Sequence, residues 1–190
     1  MRYRPEHKVE THRKIIQDAS RRVRAQGLKG AAVATVMRNT GLTHGGFYKH
    51  FESKDELLLE SLREAFREII ATLVRAAQQA PPGEGWKAMV KTYLHREMCD
   101  HPERGCPLPA LGPELARADK TFKSQILPEL VNYKNRMLPF MPGSGTAEKE
   151  RAFFAIFSTM TGAMEIARML PDPAREKVLG SARTFLLRSF

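Results

Sequence analysis

The sequence predicts an all-α chain, with a three-helix unit over residues 1–56 and a larger helical body over residues 57–190. Three observations predict it. Apolar residues recur at helical spacing, as in Ile15-Ile16, Ala19 and Val23, or Leu58, Leu62, Ala65, Phe66, Ile69, Leu73 and Ala77. The gaps between these stripes hold helix punctuation, with Gly27 and Gly41 at helix ends and Ser53-Lys54-Asp55-Glu56 as a capping box at a helix start. The one stretch whose β-branching suggests a strand, Ala31–Val36, is short and lies between helices.

In chain order, Arg2, Arg4, His7 and Lys8 form a basic arm with Pro5 near the start of the first helix; the arm either reaches a nucleic-acid groove or is a frayed terminus. The first helix runs from about Val9 to Gln26, with Arg13, Arg21, Arg22 and Arg24 directed outward, and Gly27 closes it. The second carries Val33, Val36 and Met37 and ends at Thr40-Gly41-Leu42, where Gly41 can adopt a left-handed conformation without a Cβ penalty. Thr43 then caps a short helix. Its Phe47 and Phe51, four residues apart, share a face and complete a core with Leu28, Val33, Val36 and Met37.

Gly45 and Gly46 together disfavour that short helix by roughly 2 kcal/mol relative to alanines. A surface without side chains lets backbone approach a partner closely, and the flanking His44, Tyr48, Lys49, His50 and Lys54 offer donors to phosphates and base edges. Two helices joined by a tight glycine-containing turn have helix-turn-helix geometry. The alternative is a surface loop that happens to be basic.

Thr40 to Leu58, TGLTHGGFYKHFESKDELL, resembles the helix-turn-helix signature of TetR-family transcriptional regulators, and the likeness extends back through Ile15-Ile16 and Ala19 to about Val9. The resemblance implies that the short helix enters the DNA major groove, with base contacts from Thr43, His44, Gly45 and Tyr48 and phosphate contacts from Tyr48, His50 and Lys54. Many relatives carry a polar or basic side chain early in the second helix. Here that stretch is Ala31-Ala32-Val33-Ala34-Thr35, and Thr35 is its polar candidate.

Composition agrees. The net charge is +10, and residues 1–56 hold 12 Lys/Arg against 6 Asp/Glu, so the positive charge is densest where the motif lies. Such a balance suits a polyanion, although a basic surface alone does not require one. An apolar content of 42% excludes wholesale disorder. The start, MRYRPEHKVETHRK, lacks the apolar segment of a signal peptide, and the chain lacks an uncharged apolar run of about 18 residues. The expectation is a cytoplasmic protein without a membrane partner, whose Cys99 and Cys106 are reduced thiols.

The third helix begins at the capping box and continues for about six turns, long enough to leave the N-terminal unit and act as a lever on it. Gln78–Gly85, QQAPPGEG, ends it. Trp86, Met89, Val90, Tyr93 and Leu94 mark a further helix that extends toward Met98. Between Gly105 and Glu114 three prolines fall within seven residues, which predicts short helical pieces separated by kinks. Asp119 caps a helix carrying Phe122, Ile126, Leu130, Tyr133 and Met137, with a kink expected at Pro128. After the loop 139–145 come two final helices, Ala147–Leu170 and Pro173–Ser189.

Those last two helices have broad apolar faces that serve either as internal core or as a pairing surface for a second copy. The resemblance implies pairing, through Phe153, Met160, Ala163, Ala182, Phe185 and Leu186. Dimerisation also meets a mechanical need, because two short helices on a two-fold axis can read half-sites about 34–36 Å apart. The candidates to line an effector cavity are Trp86, Met89, Tyr93, Met98, Leu111, Phe122, Ile126, Met137, Phe157 and Met164, each of which taken singly is more readily plain core, and the nine methionines of the chain suit an adaptable pocket.

No catalytic constellation, phosphate-binding glycine loop or trusted zinc spacing is present, so the expectation is a non-enzyme with no cofactor and no metal. His95, Cys99, His101 and Cys106 cluster in sequence without matching a metal pattern. Cys106 is the candidate redox residue, because a thiol near a helix start and beside Arg104 can be activated; the alternative, and the commoner outcome, is a small buried cysteine. The sequence thus points to a homodimeric DNA-binding regulator, a repressor released from a double-stranded operator by a small apolar or electrophilic effector. The alternatives are a thiol-based redox regulator through Cys106 and a constitutive architectural DNA-binding protein.

Overall fold

The fold is that of a computed structural model describing residues 5–190; Arg2 and Arg4 of the expected basic arm lie outside it. The described residues form helices and connecting turns without a strand. The helices are α1 (Pro5–Gln26), α2 (Val33–Asn39), α3 (Lys54–Gln78), α4 (Gly85–Tyr93), α5 (Arg96–Asp100), α6 (Leu108–Arg117), α7 (Lys120–Met137), α8 (Thr146–Arg168) and α9 (Ala174–Ser189). Short 3₁₀ segments at Leu28–Ala31, His44–Lys49, Pro102–Arg104 and Leu138–Phe140 join them.

Helix α1 starts four residues earlier than its apolar stripe suggests, so His7 and Lys8 are helical and not part of an extended arm. Its Ile15, Ala19 and Val23 are fully buried, and it packs on α3. Gly27 ends α1 with φ 73°, a left-handed conformation that favours glycine. At the start of α3 the Ser53 hydroxyl accepts from the Glu56 N–H at 3.1 Å, and the Glu56 carboxylate accepts from the Glu52 N–H at 2.6 Å. The Ser53 cap therefore forms, and the Glu56 carboxylate reaches back past it to the residue before the cap.

At 25 residues, α3 is about 37 Å long. It passes from contacts with α1 to contacts with α4 and α7, so the three-helix unit and the body share one rigid strut. Asp119 caps α7 as expected, accepting from the Phe122 N–H at 2.8 Å.

Three expectations are corrected. Arg24 is not outward but 1% exposed. Its guanidinium donates to the Ser20 and Gly105 carbonyls, to the Ser20 hydroxyl, and to Glu68 at 2.5 Å. A buried charge survives because its donors are met. The proline-rich stretch is also less broken than expected, since Leu108–Arg117 is a single helix. Pro109 falls in its first turn, where no N–H is needed, and Pro113 is the only one of the three prolines in its interior. Pro128, where a kink is expected, lies inside α7.

Third, Phe153, Met160, Ala163 and Leu186 are buried within this chain. The sequence stripe marked the inward face of α8, which packs on α9, α6 and α4, and not a face left over for a partner. Ala182 is half-buried, and of the six residues only Phe185 is largely exposed, at 60%.

Candidate nucleic-acid interface and effector groove

The turn leading into the short segment is fixed by backbone bonds. The Thr40 hydroxyl donates to the Val36 and Met37 carbonyls at 3.0 Å, Gly41 adopts φ 75°, and the Leu42 N–H donates back to Met37 at 2.8 Å. Thr43 is extended but makes no side-chain cap, and His44–Lys49 winds as a 3₁₀ segment, not an α-helix. Two adjacent glycines weaken α-helical propensity enough to allow the tighter winding.

This segment is anchored from behind. Phe47 and Phe51 are buried and stack with ring centroids 5.4 Å apart, and Phe51 stacks in turn on His12 of α1 at 4.7 Å. His12 is itself held by Glu60 of α3 at 2.9 Å. Helices α1 and α3 therefore both fix the seat of the segment.

On the opposite side Thr43, His44, Gly45, Tyr48, Lys49 and Lys54 are exposed, Tyr48 at 70%. A Cβ placed on Gly45 would meet nothing within 4 Å, so the backbone there is open to close approach. Thr35 is half-buried on α2. The geometry thus gathers the predicted contact residues on one basic, side-chain-poor surface, with two exceptions of degree.

His50 is the first, because it is half-buried, its Nδ1 is enclosed without a partner, and its ring sits 5.9 Å from that of His12. Burial, then the positive charges of His12, Lys8 and Lys49, push its pKa below the ordinary 6.5. It is a neutral packed imidazole at neutral pH and not an exposed cation. Lys8 is the second. Its charge acts on His50, which places the start of α1 beside the segment, a position the sequence had assigned to a terminal arm.

The expected effector residues are placed differently. Trp86, Met89, Tyr93, Leu111, Phe122, Ile126, Met137, Phe157 and Met164 are all buried, and Met98 is half-buried on α5. An apolar groove of about 650 Å³ opens between α6, α7 and α8, lined by Leu108, Gly112, Pro113, Leu127, Leu130, Val131, Tyr133, Phe153, Phe154 and Phe157, with Lys134, Ser158, Thr161 and Glu165 as its polar members. Of the expected residues, Phe157 alone lines it. The others lie on the inward faces of their helices and fill the core. The groove exists because α6 turns Gly112 and Pro113 toward α8, and no side chain fills the gap; the surroundings of Gly112 are open to 4 Å. A backbone glycine beside a proline is a weak sequence signal for a cavity.

Helix α6 also touches the N-terminal unit. The Leu28 N–H donates to the Glu114 carboxylate at 2.9 Å, and Arg24 donates to the Gly105 carbonyl just before α6. Sequence reasoning missed both links, since nothing local connects residues more than 80 positions apart.

Cys106 is enclosed at 2% exposure. Burial raises its thiol pKa, against the smaller opposing effects of the Tyr93 hydroxyl, the Leu108 N–H and the Tyr133 hydroxyl. Of the two sequence readings the burial favours the packed cysteine, because a nearby helix start does not outweigh removal from water. Cys99 is raised by burial too. His95 caps α5, its Nδ1 accepting from the Glu97 N–H at 3.3 Å, and no group of three or more metal-ligating side chains assembles among the described residues. No helix among them is long and apolar enough to cross a membrane.

Residues 15–61 match the bacterial regulatory proteins of the tetR family. The chain is 27% identical over 124 residues to the HTH-type transcriptional regulator LmrA of Bacillus subtilis (strain 168), a stretch that covers 63% of this chain and 62% of that protein. The chain therefore spans less than two thirds of that curated relative. Its fold is similar along nearly its whole length to a TetR transcriptional regulator from Chloroflexus aurantiacus, with TM-score 0.78, 21% identity, and 95% and 94% of the two chains covered. A TetR-family regulator from Streptomyces coelicolor gives TM-score 0.72 and 21% identity over 100% and 96%.

Proposed function

This chain is a member of the TetR family, and from that premise we propose that it is a sequence-specific, DNA-binding transcriptional repressor that acts as a homodimer and leaves its operator when a small effector binds. The observation that carries the reading is the surface of His44–Lys49: a bare Gly45 between exposed donors, seated on Phe47 and Phe51. Backbone free of side chains can lie close to base edges, while His44, Tyr48, Lys49 and Lys54 reach bases and phosphates. Residues 1–56 supply this reading head, and residues 57–190 supply pairing and effector binding.

The second copy docks on the outer faces of α8 and α9, where Ile166, Met169 and Phe185 are exposed, in place of the buried residues that the sequence stripe marked. Exposed apolar residues of this size on two adjacent packed helices are the kind of surface that association covers. Paired reading heads multiply the discrimination of two short segments.

Effector release needs a route from groove to head, and α6 supplies one. Gly112 and Pro113 line the groove, and the next residue, Glu114, holds the backbone of Leu28 at the end of α1. An occupant that wedges α6 away from α7 and α8 draws Glu114 with it and shifts the equilibrium toward a dimer with mis-spaced heads.

The test is anisotropy titration of the purified chain against duplexes from upstream of its own gene and against random duplex, over a salt series and with an effector library. A specific fragment bound at least a thousandfold tighter than random sequence is expected. Tyr48→Ala, which removes a side chain that is 70% exposed, should weaken that binding about tenfold or more with the fold intact. Equal affinity for every duplex would leave only the architectural alternative, and affinity unmoved by the whole library would remove the effector-release part.

A further inference from the structure

The floor of the α6–α7–α8 groove contains polar atoms that the chain itself does not satisfy. Tyr133 lines the groove at 2% exposure, and its hydroxyl has no hydrogen-bond partner; its neighbour is the Cys106 thiol, a weak acceptor at best. Thr161, also on the wall, shares its hydroxyl with that of Tyr93 at 3.4 Å. Behind them stands Arg168, acted on by Tyr93, Cys99, Cys106 and, more weakly, Glu103. Its Nη2 donates to the Met98 carbonyl, while Nε and Nη1 are buried without partners, and among the described residues no carboxylate lies within ion-pair distance of it. Buried donors without acceptors cost free energy. A fold carries such a group where something else completes it.

The walls are aromatic. Phe153 and Phe157 lie 4.5 Å apart, Tyr133 meets Phe157 edge-on at 5.1 Å, and Phe154 meets Phe153 edge-on at 5.4 Å. Phe154 is 58% exposed at the mouth. The volume of about 650 Å³ falls within the usual range for small-molecule sites. At the rim Lys134 is already paired with Glu150, and Glu165 lies beside it, so the lip does not attract an anion; the unmet hydroxyl donor of Tyr133 is at the floor, and Arg168 stands outside the lining, behind Cys106.

We infer that this groove binds a small aromatic carboxylate, its ring among Phe153, Phe154 and Phe157 and its carboxylate directed inward to the Tyr133 hydroxyl under the field of Arg168. The inference rests on the effector-gated reading above and names the chemical class of that effector. A carboxylate supplies acceptors only, which is what an unmatched hydroxyl donor requires, and its charge is favoured by the Arg168 guanidinium behind Cys106, which Glu103 acts on without an ion-pair contact. The ring extends an existing edge-to-face cluster.

The probe is 2-naphthoate, titrated calorimetrically into the full chain beside two head-group isosteres, naphthalene-2-carboxamide and 2-naphthylmethylammonium. Naphthoate should bind once per chain, the amide at least tenfold more weakly, and the cation more weakly still. Tyr133→Phe removes only the unpartnered hydroxyl, so the thermal midpoint should hold or rise while naphthoate affinity falls about tenfold. Gly112→Leu places a side chain in open space in the groove and should abolish binding without unfolding the chain. Equal binding of acid and amide, preference for the cation at Glu165, or full affinity in Gly112→Leu would each overturn the inference. If Gly112→Leu weakens self-association in sedimentation and leaves naphthoate affinity intact, the groove belongs to a second copy and the inference falls. Naphthoate that binds with this mutational pattern yet leaves operator affinity unchanged supports the site and removes the effector-gated reading, so the two can fail separately.

Discussion

The segment around Gly45 and the groove under α6 are two unsatisfied surfaces built in opposite ways. The first turns its unmet groups outward: backbone and donors stand in water, at little cost, on a seat of two phenylalanines. The second holds its unmet groups inside, where the Tyr133 hydroxyl and, behind it, two nitrogens of Arg168 are buried without a protein partner. An outward surface suits a large, hydrated polyanion that brings its own water and ions. An inward one suits a small molecule that must shed its water to enter. The chain joins them by one long helix, α3, and by the contact of Glu114 with Leu28.

The comparison breaks most sharply at the seat of the outward surface. Phe51 is 1% exposed and touches Phe47 and His12, so Phe51→Ala leaves a cavity where α1, α3 and the reading segment meet. A loss of about 3–5 kcal/mol is expected, read as a lowered denaturation midpoint, together with loss of DNA binding. Unchanged stability would mean that the segment does not depend on its anchor.

Gly45→Ala separates exposure from anchoring. Because the position is open and its backbone has no left-handed requirement, alanine should raise stability by up to about 1 kcal/mol. The added methyl stands where backbone is to approach DNA, so operator affinity should fall about tenfold. A variant both more stable and equally tight would show that close backbone approach at Gly45 is not used.

These two positions also mark what was legible in the sequence. Local chemistry writes itself locally: Gly27 and Gly41 end helices, Ser53 and Asp119 start them, and Phe47 and Phe51 bury together, all readable from spacing and residue type. The groove was not readable in this way. Periodicity reports which face of a helix is apolar, but not whether that face meets its own chain, a ligand or a second copy, and so Phe153, Met160 and Leu186 pointed to a partner while packing internally. Arg24 was placed outward, and Cys106 left open between an activated and a packed thiol, for the same reason. Their exposure is set by Gly105, Glu68, Tyr93 and Tyr133, which arrive from distant parts of the chain.

The link between the two surfaces can be weakened while both remain. Glu114→Ala removes the acceptor for the Leu28 N–H and should cost about 1–2 kcal/mol, since a bond to a charged group is lost from a half-buried site. Operator affinity without effector should change little, whereas the drop in affinity on adding effector should shrink severalfold. A full effector response in this variant would route the coupling through α3 alone.

The smallest effect separates packing from contact at His50. Burial, with positive neighbours at His12, Lys8 and Lys49, holds its folded pKa below 6.5, whereas in the unfolded chain it titrates near 6.5. As pH falls through that value the unfolded state takes up a proton that the folded state resists, so the stability of the free protein declines toward pH 5. A phosphate at His50 would act with the opposite sign, because an adjacent negative charge favours the imidazolium and operator binding would then strengthen as pH falls. His50→Gln should flatten both slopes. If only the stability slope flattens, His50 is part of the seat, and the phosphate contact on that side passes to Tyr48 and Lys54.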